Sequence, residues 1–214
     1  KGPVIFFGNE FFDAIPIKQL ELRNKKLFER FVEIKNNRNF NITLQKVNKN
    51  LKNKINKYKT LKNNSFIEFP EIGLKELDKI VDKIKSLSGG ILLIDYGYIY
   101  PKNISIIQSI KSHKKNHMFK NLSNADVTSL VNFRLLEEFF KKRQINVEKI
   151  VTQSFFLQKM GILERAEIVS KNMNFKDKSD LYLRVKRLLS QNIMGELFKV
   201  IFAGKLDKKI LGFE

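Results

Sequence analysis

The sequence predicts an α/β protein built on a partly parallel sheet. Two short apolar runs bounded by glycine and an amphipathic helical segment between them carry that expectation, and 214 residues allow one or two domains. The first run, Val4-Ile5-Phe6-Phe7, sits between Gly2-Pro3 and Gly8 and reads as a strand buried on both faces. Phe31–Ile34 and Phe40–Leu44, joined by Lys35–Asn39, read as a hairpin inserted after it, and Lys46–Lys62 reads as a helix. Leu74, Leu77, Val81, Ile84 and Leu87 then recur at spacings of three and four, one face of a helix. The second run, Ile91–Ile94, is entered through Gly89-Gly90 and left through Asp95-Tyr96-Gly97.

Further on, Asp126-Val127-Thr128 reads as the cap of a helix reaching about Lys142, with Leu135, Leu136, Phe139 and Phe140 on its apolar side. Val147–Leu157 reads as a strand, and Ile162–Val169 and Tyr182–Leu189 as helices. Phe198–Ala203 reads as the closing strand. The first residue is Lys1, no leader pattern precedes Val4, and the chain opens inside what reads as a buried strand. The expectation is therefore a fragment of a longer protein.

Composition removes several classes. With 43% hydrophobic residues and 19 Phe the chain can bury enough apolar surface to fold, which excludes disorder as its main description. No apolar run approaches the roughly 20 residues of a membrane-spanning helix. The absence of cysteine excludes disulfide scaffolds, iron–sulfur centres and thiolate zinc sites, and fits a reducing compartment. The net charge of +19 would ordinarily point to nucleic acid, but it comes from 33 Lys against 8 Arg, alongside 24 Ile and 21 Asn. Those are amino acids of AT-rich codons, whereas sites that read bases or clamp phosphates favour arginine. Lys46–Lys62 holds seven lysines and no acid, and reads either as a basic arm or as a surface helix with solvated lysines.

The densest polar signal, Asn9-Glu10-Phe11-Phe12-Asp13-Ala14-Ile15-Pro16, lies where the first buried strand ends, the place where open α/β sheets bind ligands. In a helical turn Glu10 and Asp13 would face the same side. The same residues could instead only cap a helix. Asp95-Tyr96 ends the second strand in the equivalent way, so two acidic strand ends point to one site. His113 and His117 are four apart, but no carboxylate stands beside them to complete a metal set. No GxGxxG or GxxxxGK[ST] cradle occurs. With two His and no Cys, a Ser-His-Asp or Cys-His nucleophile has little support.

Taken together, NEFFDAIP, GGILLIDYG, ADVTSLVNF, TQSFFLQKMGI and MGELFKVIFAG resemble, in order and approximate spacing, the MidA-type S-adenosylmethionine-dependent methyltransferases. That family includes the mitochondrial methyltransferase that assists assembly of respiratory complex I. The resemblance implies the C-terminal part of a class I methyltransferase (Rossmann-like) sheet of strand order 3-2-1-4-5-7-6 with the last strand antiparallel. Val4–Phe7, Ile91–Ile94, Val147–Gln153 and Phe198–Ala203 would be its strands four to seven. Residues 1–214 would be a partial catalytic domain lacking strands one to three, with an insertion over residues 23–70; without strand one, the fourth strand would present an open apolar edge, so that these residues alone should aggregate or bind no S-adenosylmethionine.

By the same resemblance, Gly8 and Asn9 would lie at the cofactor, S-adenosyl-L-methionine. Glu10 and Asp13 would be the catalytic carboxylates. His113, Asp126 and Thr128 would line the substrate pocket, with Phe133 in the same closing segment, and Asp95 and Tyr96, from their place at the second strand end, are expected to face the substrate with them. Met194, Gly195, Phe198 and Lys199 match a C-terminal signature read as structural, and Leu130 departs from the His that many members carry. The implied reaction is methylation of a protein arginine, on a complex I subunit, in the mitochondrial matrix or a bacterial cytoplasm, with a homodimer as a further partner. Two other readings stand beside it: a non-catalytic assembly protein that keeps the fold, and a basic nucleic-acid module on Lys46–Lys62 and Lys111–Lys120.

Overall fold

The computed structural model describes residues 2–35, 39–100, 102–112, 114–122, 124–206 and 210–214. At its centre β1 (Val4–Asn9) lies parallel to β6 (Gly89–Tyr98), with Val4 opposite Gly89 and Asn9 opposite Ile94. The chain enters β6 through Gly89 at φ +108°, where a Cβ would fall 1.9 Å from the Val4 carbonyl oxygen, so only glycine permits this close approach. β13 (Phe198–Lys205) runs antiparallel along the other side of β6. It pairs in turn with two short strands, β11 (Asn146–Val147) and β12 (Val151–Thr152). The order β1-β6-β13-β11 is the expected 4-5-7-6 half-sheet, with the reversed strand in its expected place.

The two faces of this sheet are covered differently. On one, α2 (Glu71–Leu87) and α3 (Phe133–Lys142) bury Val81, Ile84, Phe133, Leu135 and Phe140 against Ile91, Leu93 and Ile201. Each fully buried aliphatic or aromatic side chain there contributes about 1.5–3 kcal/mol. On the other, α4 (Gln153–Lys159) and the C-terminal Phe213 pack on Val200 and Phe202. α5 (Ile162–Ser170), α6 (Phe175–Leu189) and a π-helical turn at Gln191–Gly195 flank this second cluster. Of the C-terminal signature, Gly195 and Phe198 are buried, and Met194 and Lys199 partly so.

Two smaller sheets stand beyond the β1 and β6 ends. The first has the order β4-β3-β2-β5, from β2 (Lys18–Arg23), β3 (Lys26–Lys35), β4 (Asn39–Lys46) and β5 (Phe66–Phe69). The second has the order β8-β7-β9, from β7 (Ile107–Lys111), β8 (Lys114–Asn116) and β9 (Asp126–Ser129). β10 (Val131–Asn132) pairs with the end of β6. In the lysine-rich segment α1 (Lys49–Asn56) buries Leu51 and Ile55 while most of its lysines face solvent. The carboxylate of Glu138 in α3 accepts hydrogen bonds from the Lys59 and Thr60 amides and the Thr60 hydroxyl, at 2.7, 2.9 and 2.7 Å.

Several expectations are corrected. Val4–Phe7 is a strand but is not buried on both faces, because Ile5 and Phe7 face outward with nothing packed over them among the described residues. Asp126-Val127-Thr128 is strand rather than helix cap, because the β-branched pair extends and pairs with β7. The cap of α3 is Asn132, whose side chain accepts from the Leu135 amide at 3.0 Å. Val147–Leu157 is not one strand: only two bridges form, and α4 begins where the Thr152 hydroxyl accepts from the Phe155 amide. The helix expected over Lys46–Lys62 is shorter, capped by Asn48 at one end and broken after Asn56, with a 3₁₀ turn at Lys59–Leu61. The inserted sheet also recruits Lys18–Arg23, upstream of the 23–70 segment.

Candidate active site at the ends of the parallel strands

Where β1 and β6 end side by side, the chain reverses. The Glu10 amide donates to the Ile94 carbonyl at 3.0 Å, and Glu10 takes the left-handed conformation, φ +49°. A non-glycine residue held there carries local strain that its surroundings must offset. The offsetting group is Asp95. Its Oδ2 accepts from the amides of Phe11, Phe12 and Asp13 at 3.2, 2.7 and 3.3 Å, and its Oδ1 from its neighbour Tyr96 at 3.0 Å. From the far side the Ser129 amide donates to the Asp13 carbonyl at 2.9 Å. The turn Glu10–Asp13 is thus clamped between the end of β6 and the end of β9.

The clamp sets the electrostatics. Asp95 is 2% exposed, and burial first, then the negative charge of Asp13, push its carboxyl up to about 7 against the pull of the amide donors. Burial also raises the Asp13 carboxyl, which is 7% exposed, against the pull of backbone amides. The Tyr96 hydroxyl is raised by burial and by the charge of Glu10, with Arg187 of α6 opposing.

The structure therefore brings Glu10, Asp13, Asp95 and Tyr96 together, but not as a helical turn with paired carboxylates. Glu10 and Asn9 stand exposed at the rim while Asp13 is buried beside Asp95. The Asp95 oxygens, expected at the substrate, are taken by backbone amides. Gly8 gives room to the Leu93 side chain, which a Cβ would approach to 2.8 Å. Thr128 is half-buried in β9 beside Ser129. Asp126, three residues from Ser129, lies about 10 Å away along the strand. Phe133, expected in the closing segment, is wholly buried in the helical core. His113 lies outside the described residues.

Sequence reasoning missed Ser129, Arg187 and a buried group around Glu68, whose Oε1 accepts from the Gln19 side chain at 2.7 Å and from the Ile106 amide at 3.2 Å. None of these follows a motif or a helical period. Only the alternation within β9, which turns Ser129 inward, could have marked one of them. Among the described residues no three His, Asp or Glu side chains converge on a metal-sized point, and no helix is long and apolar enough to cross a membrane.

The donor set at the rim suits the charged end of S-adenosylmethionine. The half-exposed ring of Phe11 can attract a sulfonium by cation–π interaction, and the Asn9 amide lies two residues before it.

A reversed strand inside an otherwise parallel half-sheet, with an acidic turn at the strand ends, defines the class I methyltransferase architecture. Residues 1–151 match the family described as "Putative S-adenosyl-L-methionine-dependent methyltransferase", and the chain belongs to that family. It is 30% identical over 168 residues to the mitochondrial protein arginine methyltransferase NDUFAF7 homolog of Caenorhabditis elegans, covering 77% of this chain and 39% of the relative. The NDUFAF7 protein of Danio rerio is 25% identical over 208 residues, 93% of this chain and 47% of the relative. The chain thus spans less than half the length of the curated relatives it matches. Two Burkholderia thailandensis structures share its fold. An uncharacterised protein aligns with a TM-score of 0.77 at 19% identity, over 100% of this chain and 57% of that one. A protein bound to S-adenosyl-homocysteine aligns with a TM-score of 0.79 at 18% identity, over 99% of this chain and 56% of that one.

Proposed function

We propose that this chain is the C-terminal part of an enzyme that methylates protein arginine, with a respiratory complex I subunit as its target and the mitochondrial matrix as its compartment. Both curated relatives are named as mitochondrial protein arginine methyltransferases, which supports the substrate and the location. The carrying observation is the exposed Glu10, whose backbone is fixed at the rim by the Ile94 bond and by the clamped turn behind it. S-adenosylmethionine supplies the electrophilic methyl group.

The chain's own residues supply grip and field. A guanidinium is fully charged and delocalised, hence a poor nucleophile unless one nitrogen is singled out. Glu10 pairs with the nitrogens that do not react and turns the remaining one toward the donor, an effect of position and charge. Asp13 adds negative potential behind it, and Asp95 keeps the turn from relaxing.

In the full-length protein Glu10→Gln is expected to lower kcat at least about 100-fold while cofactor affinity changes less than about threefold. Steady-state kinetics beside calorimetric S-adenosyl-homocysteine binding checks this, and equal losses in both would remove Glu10 from the substrate-holding role.

A further inference from the structure

Between the β3–β4 ribbon and the three-stranded sheet opens a cavity of about 500 Å³, within the range of sites that hold ligand side chains. Its walls are apolar: Phe31 and Ile42 from the ribbon, Val127 from β9, and Met118, Phe119 and Leu122 from the segment between β8 and β9. Phe40 of the ribbon stacks on Phe119 with ring centroids 5.3 Å apart, so the two sheets already touch at one end. Val127 is 49% exposed and Leu122 51%, far more than a closed core tolerates in adjacent large apolar residues.

Two further observations say what fits. Lys111, Lys114, Lys115 and Lys120 stand exposed on the same small sheet and its flanks, with no ion pair among the described residues, so an acidic partner is complementary. The cavity and the candidate active site share β9. Val127 lines the cavity, and two residues on, about 7 Å along β9, Ser129 holds the Asp13 carbonyl. β9 is the outer strand of its sheet, the kind of edge to which an extended backbone adds, with its Ser129 end already taken by Asp13.

We infer that this groove is a substrate-docking site for an extended protein segment carrying one or two large apolar side chains next to acidic residues, placed a few positions from the methylated residue. The inference rests on the proposed methyltransferase reading for the role of the bound segment, not for binding itself. The concave, mostly apolar shape favours side chains over a flat membrane, and the guanidinium in its wall, that of Arg30, is already in an ion pair with Glu21 at 3.3 Å.

The test uses the full-length protein and a short fluorescent peptide with Leu and Phe between glutamates, upstream of an arginine, measured by anisotropy without cofactor. Met118→Glu and Val127→Glu are each expected to weaken binding at least about tenfold, with S-adenosyl-homocysteine binding and thermal melting unchanged. Lys114→Glu with Lys115→Glu should weaken this peptide and strengthen one with lysines in place of the glutamates. Peptide binding indifferent to all four substitutions overturns the inference. So does a dimer that sedimentation shows to be lost in Val127→Glu, or binding to phosphatidylserine vesicles in place of the peptide. If the peptide binds through the groove but is never methylated, the proposed function fails while the docking site stands. If methylation proceeds with every groove variant unaffected, the docking site fails alone.

Discussion

The two faces of the β1–β6 pair differ sharply. On the side of α2 and α3 the apolar residues of the sheet vanish beneath helices, and Phe133 and Phe140 have no exposed surface. On the opposite side of β1, Ile5 is 59% and Phe7 66% exposed, because the cover of α4 reaches only as far as β13 and its neighbours. The same short apolar run thus contributes to a finished core with one face and offers an open surface with the other. Stability is concentrated on the closed side, while the open side and the strand ends are where something else must bind.

The largest expected effect breaks the closed face. Phe133→Ala should cost about 3–5 kcal/mol in denaturant unfolding, since its ring fills the space beside Gly97 that nothing else can enter. Phe7→Ser, by contrast, should change stability by less than about 0.5 kcal/mol and raise the solubility of residues 1–214. Comparable losses from the two substitutions would erase the distinction between the faces.

Next in size is the clamp. Asp95→Ala leaves three consecutive amides, two of them buried, without their acceptor and should cost about 1–3 kcal/mol. Its pH dependence has a definite sign. Because folding raises the Asp95 carboxyl to about 7, the folded protein holds a proton that the unfolded chain releases above its ordinary value of 3.8. Stability from this group is therefore highest at low pH, falls as pH rises between about 4 and 7, and levels off above. Asp95→Asn should flatten that fall in melting temperature measured across the window. The smallest effect is expected at the helix entry, where Asn132→Ala removes the cap of α3 at a cost of about 1 kcal/mol, read from the same denaturation curves.

Much of the central sheet was legible because its strands are apolar and punctuated by glycine: Val4–Phe7, Ile91–Ile94 and Phe198–Ala203 each appear as strands. The small sheet of β7, β8 and β9 was not, since Ile107–Lys111 and Lys114–Asn116 are short, polar and lysine-rich. Their pairing is decided by the residues they meet rather than by their own pattern. Val127-Thr128 illustrates the same limit: aspartate before a helical stretch has the chemistry of a cap, and only the pairing with β7 turns it into strand. At the site, position at a strand end pointed to Glu10, Asp13 and Asp95 together. Which of them would be used up holding the others was not legible, because the Asp95 bonds join residues more than 80 positions apart.

The bonds that Glu138 receives from Lys59 and Thr60 tie the lysine-rich insertion to a helix rooted in the core. Load placed on the insertion by any bound protein is therefore transmitted to α3 and to the β10 residues at its root, which pair with the far end of β6. An appendage that looks detachable in the linear chain is mechanically geared to the strand whose tip bears the clamp.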